Sequence, residues 1–401
     1  MTKIFAQYGF QAGEKIKDAV DMKILDGAIF SPRDMKIENI TSAINDFKKM
    51  KEDFEFFFDP QYYSMFLANN GDARLGNLLD CCQDYFIFKR RNELERESIV
   101  KEIVEKCIKF QKKLGLIGII TPNILISKSF NSIEGVIAKH FIRVAGEFAD
   151  KKHPIYASIV ISRNALLEKE ELELFLEEIT MLDKVPNGFY ILVAAQNAES
   201  RADIFHSDVI YGQMLFNYSL ALNGFKVING YSDLLTPFLG AMGAYAGATG
   251  WWSNLRTFSI DKFKPASGGG RLPNPRYLST ALLNRVAYFE LDSIRKMYPE
   301  VLNGLPTDLL YDEQNGSMPE RNKEVLQSWD AIRKLNQLMN GKSIEENLKV
   351  CKKTILSAES FYAKLNMARV SLEEKSDNGH LSELNDGIDL LCRKAQIKLP
   401  T

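Results

Sequence analysis

Two tetrads in the chain combine a carboxylate, a proline and polar neighbours, the residue types that acid–base chemistry needs. Ser31-Pro32-Arg33-Asp34 and Asp59-Pro60-Gln61-Tyr62 each follow a short apolar run. Proline stiffens the turn on which each acid sits. If the two runs are neighbouring strands, about 4.8 Å apart, both carboxylates reach one mouth. A pair of carboxylates can divide the work of acid and base, or of nucleophile and acid, when their surroundings push their pKa values apart. Arg33 can neutralise one of them or clamp an anionic substrate, and Gln61 adds a polar neighbour. Simpler roles stand beside these. Asp34 can cap the helix that begins near Ile37, and Asp59-Pro60 can be an Asx turn.

A second constellation runs through residues 243–258, GAYAGATGWWSNLRTF. Small residues around Gly250, matched by Gly230 further back, leave backbone N–H groups bare, as phosphate sites in barrel loops require. Close helix–strand packing demands the same small residues. Residues 253–276 hold Arg256, Lys262, Lys264, Arg271 and Arg276 against Asp261, a local charge of +4. Such a segment favours an anionic ligand, nucleic acid included. Trp251, Trp252, Tyr231, Tyr62 and Tyr63 are placed to stack on a base or sugar, or to fill the top of a core. Gln7, Asn123 and Asn254 complete the candidate ligand-binding set, with Gly230, Tyr231, Gly250, Trp251, Trp252, Arg256 and Arg271.

The four histidines argue against several chemistries. His140 falls inside a helical pattern, His153 precedes Pro154, His206 begins a helix, and His380 lies near the C-terminus. A Ser-His-Asp or histidine-metal mechanism therefore has little support. No GxSxG, Walker A or HExxH motif occurs. The five cysteines form no CxxC pair, so no metal site and no cofactor are expected. Their sparse, odd number fits a reducing cytoplasm, and the vicinal Cys81-Cys82 would need an electropositive setting to be reactive.

The elements that would position these residues alternate along the chain. Strand-like runs cover residues 3–8, 27–31, 54–58, 116–121, 155–162, 189–194, 225–229 and 249–252. Helical patterns follow most of them, among them 37–51, 135–148, 208–222 and 234–246. Near-continuous apolar strands separated by helices imply a parallel sheet covered on its faces. Eight such units in about 250 residues are the number and length of a (β/α)8 TIM-like barrel. An open doubly wound sheet is the alternative, but the first turn, Tyr8 to Gly13, lacks the dinucleotide fingerprint.

Two departures enlarge the plan. An insertion at about 60–113 separates the third and fourth strands. Helical stretches 321–339, 343–367 and 381–394 follow, giving a barrel over 1–295 and a helical region over 296–401. That region is a candidate surface for a homo-oligomer or a protein partner.

Composition agrees with a globular chain: 401 residues, 45% hydrophobic, 26% charged, net charge −1. A globally cationic nucleic-acid coat is thereby excluded. No secretory leader and no apolar run of membrane-spanning length is visible, so a cytoplasmic protein without membrane attachment is expected.

The barrel outline with strand-end aspartates resembles base-exchanging transglycosylase barrels, which act on nucleic acid. It departs from them in lacking their C-terminal cysteine–histidine zinc site. The resemblance implies N-glycosidic chemistry. The expectation is a hydrolase- or transferase-type enzyme acting on an anionic, phosphate-bearing or nucleotide-like substrate, with no metal. A glycoside hydrolase of neutral sugars, or a non-catalytic scaffold assembling through its helical tail, are the alternatives.

Overall fold

A computed structural model describes residues 1–66, 74–197, 199, 201–264, 273–312 and 318–399. Eight parallel strands form a nearly closed barrel. They are β1 (Lys3–Gln7), β2 (Gly27–Phe30), β3 (Glu55–Phe58), β4 (Ile119–Ile120), β5 (Ile155–Ser162), β6 (Gly188–Ala194), β7 (Lys226–Asn229) and β8 (Ala246–Thr249). The spatial order is β3-β2-β1-β8-β7-β6-β5-β4, so the first and last strands are paired, Phe5 opposite Ala248. The expected (β/α)8 barrel is the fold.

Alternation along the strands builds the interior in layers. Lys3, Glu55 and Tyr245 meet at the bottom, where the Tyr245 hydroxyl and Lys3 ammonium are 3.0 Å apart and both bind Glu55. Phe5, Phe57 and Tyr156 fill the middle, with ring centroids 5.6 and 5.3 Å apart. Glycine makes room for these rings. A Cβ on Gly27 or Gly188 would lie 2.8 Å from Phe5 or Tyr156. The same parity carries Gln7 and Asp59 to the top of the interior.

The remaining seam lies between β3 and β4. One backbone bond crosses it, from the Ile117 N–H to the Phe56 carbonyl, 3.2 Å. The Ile120 peptide groups, which face the seam, are satisfied by a side chain. Gln111 Nε2 donates to the Ile120 carbonyl at 2.6 Å, and the Ile120 N–H donates to Gln111 Oε1 at 3.2 Å. The carboxamide thus stands in for a neighbouring strand. This is why β4 is shorter than the expected 116–121.

Helices α1 (Lys15–Asp21), α2 (Ile37–Met50), α3 (Glu97–Lys112), α4 (Ile133–Glu147), α5 (Lys169–Thr180), α6 (Ser207–Leu222) and α7 (Thr236–Ala241) wrap the strands. Each apolar stripe faces the barrel, as in α2, which buries Ile40, Ile44 and Phe47. The short helices Leu78–Cys81 and Arg91–Leu94 and a 3-10 turn, Tyr62–Phe66, occupy the insertion before α3.

The eighth unit differs from expectation. Strand β8 begins at Ala246 rather than 249, and α7 ends at Ala241 rather than 246. Residues 246–248, AGA, lack the β-branched bulk that marks a strand. They are small because a Cβ at Gly247 would lie 2.5 Å from Thr236.

The wall helix that packs between α7 and α1 comes from far downstream. It is α8 (Arg321–Met339), reached through the hairpin β9 (Arg276–Ser279) and β10 (Asn284–Ala287). Trp329 of α8 donates to the Thr249 carbonyl at 3.2 Å, and Asn336 to the Thr2 carbonyl at 3.0 Å. Then α9 (Ile344–Met367) and α10 (Gly379–Lys394) follow, α10 lying along α6. No helix among the described residues is long and apolar enough to cross a membrane.

Candidate active site at the mouth of the barrel

Asp59 follows β3 directly, and its carboxyl is buried, with 1% of the residue exposed. Its Oδ1 accepts from the Gln61 N–H at 3.0 Å, which is the Asx turn the sequence allowed. Its Oδ2 accepts from the Tyr63 hydroxyl at 2.8 Å and from the Tyr190 hydroxyl at 3.4 Å. Burial pushes this carboxyl up to about 6, against the hydrogen bonds of Tyr63 and Gln61 and the charge of Lys262. Burial, then Asp59 itself, holds the Tyr63 and Tyr190 phenols well above their ordinary range, so both remain donors.

Asp34 has a different setting. It does not cap α2, whose N-terminal boundary residue is Lys36. It is paired with Arg33 at 2.5 Å and Lys262 at 3.6 Å, and accepts from the Ser31 hydroxyl at 3.0 Å. Burial opposes its charge, but Lys262, Arg33 and Ser31 outweigh it and hold the carboxyl below its usual value. The two acids are thus unlike. One is a fixed anion, and the other changes protonation within a unit or so of neutrality.

Lys262 connects them. It arrives on the segment 258–263, which folds back over the mouth, with Ser259 bridged to Ala195 beyond β6. The Arg33 guanidinium holds that segment by donating to the Lys262 carbonyl at 2.7 Å. The Lys262 ammonium donates to the Tyr231 hydroxyl at 3.0 Å. Burial works against its charge, yet Tyr231 and Asp34 raise its pKa above the ordinary value. Phe258 and Phe263 of the same segment pack edge-on against Tyr63, at 5.2 and 6.0 Å.

Backbone strain concentrates here. Gln61, Tyr231 and Asp233 have φ of +52°, +53° and +37°, a region that costs a side-chain-bearing residue about 1–3 kcal/mol. Gln61 uses its conformation to accept from Ser31 Oγ and the Arg33 N–H, both at 3.1 Å. Its Nε2, both polar atoms of Gln7, and Thr121 Oγ1 are buried without a hydrogen bond. Gln7 lies beside the Tyr190 hydroxyl. Four unsatisfied atoms near the strand ends fit a site that binds something polar.

The other candidate residues fall in different places. Asn123 is structural, with its Nδ2 donating to the Ser158 carbonyl at 2.5 Å. Gly230 and Gly250 are packed against protein, since a Cβ would lie 2.4 Å from Leu192 and 2.5 Å from Leu255. Trp251, Trp252 and Arg256 line a neighbouring cavity on the same face, and Asn254 is exposed. Arg271 lies outside the described residues. Tyr62 belongs to the core beneath the insertion, against Phe141 at 5.8 Å. Among the described residues, no three His, Cys, Asp or Glu side chains are grouped to hold a metal ion.

Two residues central to this mouth lie outside the candidate site set: Tyr190, and Lys262, which entered only as one charge of the basic segment 253–276. Tyr63, expected there as a stacking or core-filling aromatic, donates to Asp59. Strand alternation could have found Tyr190, which shares the interior face of β6 with Leu192. Lys262 depends on a fold-back that local pattern does not encode. No protein-family model matches the chain, and comparison with curated proteins gives no match.

Proposed function

We propose that the chain is a barrel enzyme that moves a proton through Asp59 while acting on an anionic, phosphate-bearing or nucleotide-like substrate. A carboxyl poised near 6 keeps both protonation states accessible at pH values near neutral, as a general acid or base needs. In this reading the neutral Asp59 carboxyl protonates the leaving group as a glycosidic or N-glycosidic bond breaks, and water adds to the sugar carbon, its released proton returning to the Asp59 carboxylate. Lys262 and the Tyr231 hydroxyl stabilise negative charge on the substrate. Asp34 and Arg33 position Lys262 and do not exchange protons. Gln7, Gln61 and Thr121 supply hydrogen bonds to the bound molecule. The segment 258–263 covers Asp59, so it moves when substrate enters.

The observation that carries this reading is Asp59 itself, a raised carboxyl among phenols at a strand end. The test incubates wild type and Asp59→Asn with nucleotides, sugar phosphates and neutral oligosaccharides, and follows products by mass spectrometry. A phosphate-bearing compound is expected to be cleaved by wild type. The variant should bind it but turn it over about 100- to 10,000-fold more slowly. Cleavage of neutral oligosaccharides alone, or an unimpaired variant, overturns the reading.

A further inference from the structure

A second cavity opens on the same face, between the segments after β7 and β8 and the β9–β10 hairpin. Its volume is about 400 Å³, within the range of small-ligand sites. Neither Asp59 nor Lys262 lines it. Its walls are crowded with charge, and nearly all of that charge is matched. Asp233 holds Arg285 through bonds of 2.6 and 2.8 Å. Glu373 pairs with Arg276 at 2.9 Å, and Glu199 with Lys375 at 2.6 Å. Glu324 pairs with Arg321.

Arg256 is the cation left over. Among the described residues its guanidinium makes no hydrogen bond and no ion pair, although it lines the cavity. Burial and the neighbouring Arg285 work against its charge, and Asp233, Glu324 and Glu199 only partly offset them. Guanidinium stays protonated under these conditions. A half-buried guanidinium without a protein partner is a ready donor for an anion that enters the cavity. The Trp252 indole stands on the same wall, with the Arg321 guanidinium 6.0 Å from its ring.

We propose that this cavity binds a phosphate monoester, whose phosphoryl oxygens take the Arg256 fork while Trp252 packs on the group that carries the phosphate. The planar fork matches two phosphoryl oxygens at once. Aromatic faces suit a sugar or base. The four carboxylates do not repel the ligand as free anions would, because each is held by its own cation. The site is separate from Asp59, so it stands or falls independently of the acid–base reading.

The test titrates the full chain with inorganic phosphate and, separately, with ribose 5-phosphate, using calorimetry and tryptophan fluorescence. Both are expected to bind saturably, the ester roughly tenfold tighter because of Trp252. Arg256→Gln should weaken both by at least about tenfold, and Arg256→Lys, which keeps the charge and loses the fork, by less. Without ligand, Arg256→Gln should melt no lower than wild type, since among the described residues the Arg256 guanidinium makes no hydrogen bond or ion pair that the substitution would break. Should it melt lower, Arg256→Lys carries the comparison. Asp59→Asn should bind phosphate as wild type does, whatever its effect on turnover. No saturable binding to wild type at about 10 mM, or binding unchanged in both Arg256 variants, overturns the proposal. Phosphate binding with no preference for the ester assigns the cavity to the free ion and overturns the ester.

Discussion

The ammonium of Lys262 lies 3.6 Å from the carboxylate of Asp34, and the same nitrogen binds Tyr231 at 3.0 Å. One cation from a late segment therefore fixes an acid near β2 and a phenol after β7. It also favours the ionised form of Asp59. Lys262→Met should raise the Asp59 pKa above its present value of about 6. It should also cost about 1–3 kcal/mol of stability at neutral pH, since Asp34 keeps only Arg33 as a cationic partner. Carboxyl carbon NMR against pH reads the first effect, and urea unfolding the second. An unmoved Asp59 titration would show that the two groups are not coupled.

Asp59 makes stability depend on pH in a definite direction. Its folded pKa lies above its unfolded one, so the folded state holds the proton more tightly. Its favourable contribution is complete below about pH 4 and is lost as pH rises through about 6. The full swing is about 3 kcal/mol by the usual conversion of pKa shift into free energy. Asp59→Asn removes that dependence. The variant should melt higher than wild type above pH 6, and the difference should close below pH 4. A variant that is less stable than wild type at pH 8 contradicts the raised carboxyl.

Gln7 is buried beside the Tyr190 hydroxyl, and neither of its polar atoms has a hydrogen bond of ordinary geometry. A residue kept for packing alone would not be a carboxamide. Gln7→Met, similar in shape, should raise stability by about 1 kcal/mol because an unsatisfied polar group is removed. Turnover of any identified substrate should fall at the same time. Calorimetric melting beside an activity assay separates the two, and a Gln7→Met protein that gains stability while keeping full activity refutes a binding role.

Gln111 carries a prediction about the scaffold. Its side chain satisfies both peptide groups of Ile120 at the β3–β4 seam. Gln111→Leu leaves an N–H and a C=O buried and unpaired, at about 1–3 kcal/mol each. Urea unfolding should show a loss of at least about 2 kcal/mol, with hydrogen exchange at Ile120 accelerated ahead of β5. A neutral substitution would mean that the seam is hydrated.

Much of the barrel was legible because parallel strands are buried on both faces and read as apolar runs. Residues 155–162 and 188–194 stand out for this reason. The strand-end rule also brought Arg33, Asp34, Asp59, Gln61 and Tyr231 into view together. It failed where side chains were small or contacts distant. In AGAT at 246–249 only Thr249 reads as strand and Ala246 reads as the end of a helix, because only packing against Thr236 and Ser232 explains the lack of bulk. Lys262 reads as one charge among several, because its burial depends on Arg33 holding a loop from another part of the chain. The distinction between Asp34 and Asp59 was also invisible, since it comes from their neighbours and not from their own sequence contexts.

The position of α8 has a consequence for how the protein is made. Ribosomes deliver β1 first, yet the helix that covers it beside α1 and α7 begins at Arg321. Asn336 binds the Thr2 carbonyl, and Arg333 binds the Ile24 carbonyl at 3.0 Å and Asp26 at 3.3 Å. Until α8 docks, that flank of β1 is uncovered. The wall around β1 is therefore completed by residues more than 300 positions away in the sequence, a long-range contact that forms only after the strands themselves have paired locally.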